Sequence, residues 1–148
     1  MPSTHVSLHY HLVFSTKDRI AYMHKDWRGR LHSYMGGIVK GLNGVPVTIG
    51  GVEDHVHLLV GLRATHRLSD VLKEVKGSSS LWVHEELKIR QFAWQEGYGA
   101  FTVSASQIEP VRVYIDTQEA HHHQKTFQDE YREFLEAYGV EYDEKYLW

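Results

Sequence analysis

Along residues 5–14 apolar and polar positions alternate strictly, with Val6, Leu8, Tyr10, Leu12 and Phe14 on one side and His5, Ser7, His9, His11 and Val13 on the other. A period of two predicts a strand. From Asp26 the apolar spacing lengthens to three and four, through Trp27, Leu31, Tyr34, Met35, Ile38, Val39 and Leu42, which predicts a helix with Asp26 as its cap. Asn43-Gly44 ends that helix. Val45 to Ile49 then reads as a second strand and Asp54-His55-Val56-His57-Leu58-Leu59-Val60 as a third, the two pairing as a hairpin across Gly50-Gly51.

Leu68, Val71, Leu72 and Val75 return to helical spacing, with Ser69 or a neighbour at the start and Lys73 and Lys76 on the polar side. Phe92 to Gln95 and Ala100 to Ser104, separated by Gly97-Tyr98-Gly99, read as a fourth and fifth strand. Ser106-Gln107-Ile108-Glu109 has the form of a capping box, and Pro110 is tolerated in a first turn, so a helix is expected from about residue 107 to at least Gln118. A charged helix from Gln128 to Tyr138 and an aromatic end, Tyr142, Tyr146, Leu147 and Trp148, close the chain. The order predicts an α+β plait, one mostly antiparallel sheet with helices packed on it, related to ferredoxin-like folds. Residues 1–148 are expected to form a single domain, with the histidine strand central and its histidines on an exposed face.

Composition narrows the functional classes. The chain has no cysteine, which excludes disulfides and thiolate metal sites and fits a cytoplasmic protein. No stretch has a signal-peptide pattern or the length and apolarity of a membrane span. The net charge of −3 hides an asymmetry, because residues 1–115 carry 13 Lys and Arg against 10 Asp and Glu, and residues 116–148 carry 3 against 9. A mildly basic body with an acidic tail leaves room for phosphate binding on the body.

The candidate chemistry begins at His55 and His57. Strand side chains alternate, so both imidazoles leave the same face and make half a metal site. The last long helix offers the other half, since Tyr114 and Gln118 are four apart and share a helical face that His121 and His122 continue. Two imidazoles and a neutral amide oxygen would hold a divalent ion and leave positions open for phosphate oxygens. A tyrosine hydroxyl beside them is a nucleophile that needs a base or a Lewis acid, its ordinary pKa being about 10.

These residues resemble, over nearly the full chain, the single-tyrosine transposases of the HUH superfamily, the insertion-sequence 200/605 type. Tyr10-His11-Leu12-Val13-Phe14-Ser15-Thr16-Lys17-Asp18-Arg19 resembles the family's opening strand, and Asp54 to Val60 its histidine strand. Trp94 to Phe101 is similar to its aromatic turn, and Tyr114 to Gln118 with His121-His122 to its nucleophile helix. The ending Glu141 to Trp148 is similar to that of many members. The resemblance implies a metal-dependent enzyme that cleaves and rejoins single-stranded DNA at hairpin-marked ends. In it Tyr114 would be the nucleophile forming a 5′-phosphotyrosine, and His55, His57 and Gln118 would be ligands of Mg2+ or Mn2+. It also implies a homodimer whose active sites are shared between subunits.

Lys17, Arg19, Arg63, Arg67, Lys73 and Lys76 are candidate phosphate contacts, and Trp94 and Tyr98 candidate stacking surfaces for bases. His121 and His122 are candidate neighbours of the site, while His123 must point elsewhere from the same helix. His9 and His11 lie on the polar side of the first strand, facing the same way as one another. Two other readings stand beside the transposase: a domesticated, non-catalytic dimer that binds hairpin DNA, and a metal-dependent phosphohydrolase that uses water.

Overall fold

The computed structural model describes residues 3–122 and 125–144. The opening alternation becomes β1 (Leu8–Ser15), followed by α1 (Lys25–Gly41), β2 (Val45–Gly51), β3 (His55–Leu62) and α2 (Leu68–Glu86). The chain continues with β4 (Gly99–Val103), α3 (Ile108–Asp116), the single turn α4 (Gln118–His121) and α5 (Phe127–Ala137). The strands lie in the order β2-β3-β1-β4, and every neighbouring pair is antiparallel. This is the expected plait. β3 and β1 are its two central strands, with Val13 opposite His57 and Ser15 opposite His55.

Alternation sends Leu12, Phe14, Val56, Leu58 and Val60 to one face of the sheet. There they meet the apolar stripes of α1 (Trp27, Leu31, Met35, Val39) and α2 (Val71, Leu72, Val75, Val83). The second face was expected to be open. It is covered: Val13 and Phe101 pack on Phe127, Tyr131 and Leu135 of α5, and Leu59 and Val103 pack on Ile115 of α3. His55 and His57 are 0% exposed in consequence. The covering helix comes from the acidic tail, where Phe127, Tyr131 and Leu135 recur every fourth residue beneath a charged outer face.

Phe92 to Gln95 is not a strand. Among the described residues its one ladder contact is an isolated bridge between Trp94 and Thr16, because Phe92 and Trp94 instead drop into the core, Trp94 edge-on to Phe14. β1 begins at Leu8, leaving Val6 exposed. The caps differ as well. α1 follows His24, so Asp26 sits inside its first turn, and α2 follows Arg67, with Ser69 inside. The expected capping box is a turn of 3-10 helix over residues 105–107, and Glu109 turns to Arg112. The helix expected to run unbroken to Gln118 does not do so either: Thr117 leaves helical geometry at φ −110°, ψ 26°. The expected closing helix is present as α5, capped by Thr126 Oγ1 accepting from Asp129 N at 3.2 Å. His123 and the terminal residues Tyr146, Leu147 and Trp148 lie outside the described residues.

Candidate active site

β3 places His55 and His57 on the covered face, and each ring is held from behind. Asp54 Oδ1 lies 2.7 Å from His55 Nδ1; a carboxylate can only accept, so Nδ1 carries a proton and Nε2 faces the interior of the cluster. His57 Nδ1 lies 2.8 Å from Nε2 of His11, which is buried on β1. His11 therefore supports the site, whereas His9 remains outside it beside Ser7.

α3 lies across β2 and β3, its backbone so close to β2 that any Cβ at Gly50 would collide with the carbonyl of Ile115. That approach carries Tyr114 to the histidines, its ring 5.9 Å from that of His57. The break at Thr117 then turns Gln118 inward until it is 1% exposed. Gln118 Oε1 lies 3.4 Å from His55 Nε2 and 3.0 Å from His122 Nε2. All four expected residues, His55, His57, Tyr114 and Gln118, come together within one chain. His122 joins them, and His121 packs its ring on Tyr114 at 4.5 Å.

The residue missed by sequence reasoning is Glu130 of α5, 3% exposed and central to the cluster. Its Oε1 is 3.0 Å from His57 Nε2 and 3.5 Å from His55 Nε2, and its Oε2 is 3.3 Å from His122 Nε2. Oε2 also accepts the hydroxyl of Tyr114 and, at 3.5 Å, the amide of Gln118. A local signal existed: Glu130 is three after Phe127 and four before Phe134, an acid on the apolar side of an amphipathic helix.

Burial and charge set the protonation states. Burial holds His57 at about 4, against the pull of Glu130, so this ring is neutral near pH 7. Burial and the neighbouring His57 push His11 well down too. Burial also opposes charge on His55, but the bonds to Asp54 and Glu130 outweigh it and raise its pKa. Burial disfavours an ionised Glu130, yet the imidazoles of His122, His55 and His57 around it hold it far below the usual carboxylate range. Tyr114 is pushed well above the ordinary phenol value by burial and then by the charge of Glu130, which leaves it a neutral donor.

The donor set suits a divalent ion. One oxygen or nitrogen from each of His55, His57, His122 and Glu130 falls within 4.8 Å of all the others. Among the described residues His57 Nε2 and Glu130 Oε1, both buried and 3.0 Å apart, make no well-aligned hydrogen bond. A cleft of about 650 Å³ reaches this cluster at Asp54 and His122, with Arg19 and Lys125 on its walls.

The other candidate contacts are scattered. Lys76 Nζ donates to the carbonyls of Gln95, Glu96 and Gly97 at 2.6, 3.1 and 2.8 Å, which commits it to pinning that loop. Trp94 is buried with its indole N–H on Ser79, so it offers no open stacking face. Tyr98 and Lys73 line a separate hollow beside α2, Arg67 is 3.9 Å from Asp70, and Lys17 and Arg63 are exposed.

The plait gathers imidazoles, a carboxylate, an amide and a phenol around a histidine-bearing central strand. The chain belongs to the IS200-like transposase family, whose model matches residues 4–118. It is 28% identical over 121 residues to the ISDra2 transposase TnpA of Deinococcus radiodurans, covering 75% of this chain and 84% of that one. A crystal structure of a candidate transposase from Deinococcus radiodurans superposes with a TM-score of 0.64 at 24% identity, over 80% of this chain and 95% of that one. A REP-associated tyrosine transposase bound to a REP hairpin superposes at 0.61 with 10% identity, over 82% and 73%. Among the described residues no helix is long and apolar enough to cross a membrane.

Proposed function

We propose that this transposase cleaves and rejoins single-stranded DNA at hairpin-marked ends, with Tyr114 as nucleophile and His55, His57 and Gln118 holding Mg2+ or Mn2+. The observation that carries the reading is the convergence of a tyrosine hydroxyl, two inward-facing imidazole nitrogens and an amide oxygen in one cluster between the sheet and its covering helices. A bound divalent ion would supply Lewis-acid polarisation of the scissile phosphate. The chain's residues do the rest. Asp54 and His11 fix the two imidazoles from behind, and burial keeps His57 neutral and able to ligate. The Tyr114 oxygen attacks phosphorus, the bond to the 3′ oxygen breaks, and the products are a 5′-phosphotyrosine and a free 3′-OH. Glu130 Oε2, already the acceptor of the phenol hydrogen, is in place to receive that proton as the phenol attacks, and the departing 3′ oxygen takes up a proton, from Glu130 or from solvent, to give the 3′-OH. Rejoining reverses the step and needs no nucleotide cofactor. Partner DNA enters past Arg19 and Lys125, and the protein works as a homodimer on its paired ends.

Incubating the protein with Mn2+ and a single-stranded hairpin oligonucleotide should give an adduct that survives denaturation, and Tyr114→Phe should abolish it. Hairpin binding without an adduct from wild type would identify a non-catalytic binder. Cleavage without an adduct that persists in Tyr114→Phe would identify a hydrolase.

A further inference from the structure

Arg28 of α1 lies outside the histidine cluster, yet among the described residues it is the one lysine or arginine that is buried, at 5% exposure. We infer that Arg28 is a positioning residue for strand transfer. Its guanidinium clamps Glu119, the neighbour of Gln118, to Glu53, the neighbour of Asp54, and so fixes the turn after Tyr114 against the turn that leads into the histidine strand. The inference deepens the proposed function and rests on Tyr114 acting as the nucleophile.

Three observations carry it. First, the guanidinium forks between two segments of chain. Nη2 donates to Glu119 Oε1 at 2.5 Å, while Nη1 donates to the carbonyl of Met23 at 3.3 Å and lies 3.6 Å from Glu53 Oε1. A buried cation is costly unless it is paired and hydrogen-bonded, so these partners hold the side chain in one place. A lysine would keep the charge without the fork. Second, α4 is one turn of four residues, Gln118–His121, separated from α3 by the break at Thr117. A single turn is unstable by itself, because its few hydrogen bonds do not offset the backbone freedom it gives up. Its tie to α1 is Glu119. Third, the break is anchored on both sides. Before it Ile115 rests against Gly50, and after it Glu119 is held by Arg28.

The clamped turn reaches the nucleophile by two contacts. His121 packs its ring on that of Tyr114 at 4.5 Å, and the Gln118 amide reaches back to the Tyr114 carbonyl at 3.4 Å. Releasing Glu119 therefore loosens the surroundings of the phenol. It leaves the DNA-facing cations Arg19 and Lys125 where they are. Lys25 Nζ also lies 3.6 Å from Glu119 Oε2, but its side chain is 79% exposed, so water screens that pair.

Two measurements on the full chain test this. Hydrogen exchange on DNA-free protein reads the turn itself, through the amides of Ala120, His121 and His122 that bond to Thr117 and Gln118. They should exchange several-fold faster in Glu119→Ala and in Arg28→Lys than in wild type. Alanine is the better helix former, so helix propensity cannot produce that change. Adduct formation at saturating hairpin oligonucleotide and Mn2+ reads positioning. Both variants should be about 10- to 100-fold slower while binding the oligonucleotide as tightly as wild type. Glu119→Gln, which keeps an acceptor for Nη2, should recover part of the rate, and Lys25→Ala should stay within about twofold of wild type. Combining Glu119→Ala with Arg28→Lys should cost little more than the worse single change, because both open one clamp. Unchanged exchange in Glu119→Ala overturns the inference, as does faster exchange with a wild-type adduct rate. A rate restored by more oligonucleotide also overturns it, since Arg28 would then act through DNA binding. If Arg28→Lys does not fold by circular dichroism, Glu119→Ala, at a half-exposed side chain, decides alone. Should wild type form no adduct, the strand-transfer reading fails, and the exchange comparison still decides whether Arg28 holds the turn.

Discussion

The two faces of the sheet are both buried, and they are buried by different means. Under α1 and α2 the inward side chains are almost all hydrocarbon or aromatic, with Leu12, Phe14, Val56 and Leu58 wholly inaccessible. Under α3 and α5 two small apolar clusters flank a polar centre of His11, His55, His57, Gln118 and Glu130. Hydrophobic burial is roughly proportional to apolar area, so the first face supplies most of the stability. The second spends part of its interior on groups that must be desolvated and paired. The same alternation along β3 serves both, Val56 and Leu58 pointing one way and His55 and His57 the other.

The sharpest way to break this division is to remove one buried side chain from the first face. Leu58→Ala should cost about 2–5 kcal/mol, the range for deleting a buried leucine side chain in a packed core. Thermal and urea unfolding measure it. Tyr114→Phe, at the half-buried edge of the second face, should leave the unfolding midpoint within a few degrees while eliminating the adduct. Equal destabilisation by the two would show that the faces do not divide the work.

A smaller effect is expected where α3 touches the sheet. Gly50→Ala places a methyl group against the Ile115 carbonyl, so α3 must shift. Overpacking of this kind costs roughly 1–3 kcal/mol. Its larger consequence is functional, because the displaced helix carries Tyr114 and Gln118. Adduct formation should fall by more than the loss of folded protein explains, read from rates normalised to the folded fraction. Adduct formation as fast as wild type would mean that the nucleophile is not positioned by this packing.

Much of this arrangement is legible before folding. The plait follows from the order of periodic segments, and the histidine strand is read from its alternation. Tyr114 and Gln118 are read from their four-residue spacing, which survives the break at Thr117 because Gln118 still reaches back to the Tyr114 carbonyl. What was not legible depends on tertiary partners. Glu130 is one of nine acids after residue 115, and only the docking of α5 on Val13 and Phe101 carries it inside. Phe92 and Trp94 have strand-like bulk, but three carbonyls captured by Lys76 and an indole bonded to Ser79 hold that segment as a loop. Lys76 resists a sequence reading for the same reason: a lysine on the polar side of a helix looks alike whether its ammonium meets solvent or a neighbouring loop.

Acid should probe both faces by a smaller amount. His57 on the second face and His32 on α1, beside Ile49 and Gly50, are each held at about 4. For both the first cause is burial; the charge of Arg28 adds to it at His32, whereas Glu130 opposes it at His57. The unfolded chain, with histidines near 6.5, binds more protons than the folded one between pH 6.5 and 4, so stability falls as pH falls through that window. At about pH 5.5 each ring should account for roughly 1 kcal/mol. His55 works in the opposite sense. Its raised pKa contributes stability that is complete below about 6.5 and is lost as pH rises through its folded value. Metal-free His32→Leu should therefore show a shallower decline in unfolding midpoint from pH 6.5 to 4 than wild type, with the residual slope coming from the second face. Saturating Mn2+ should raise the midpoint near neutral pH and steepen that residual slope, because an ion on His55 and His57 displaces protons from the folded state alone. A slope untouched by either change would place the acid sensitivity elsewhere in the molecule.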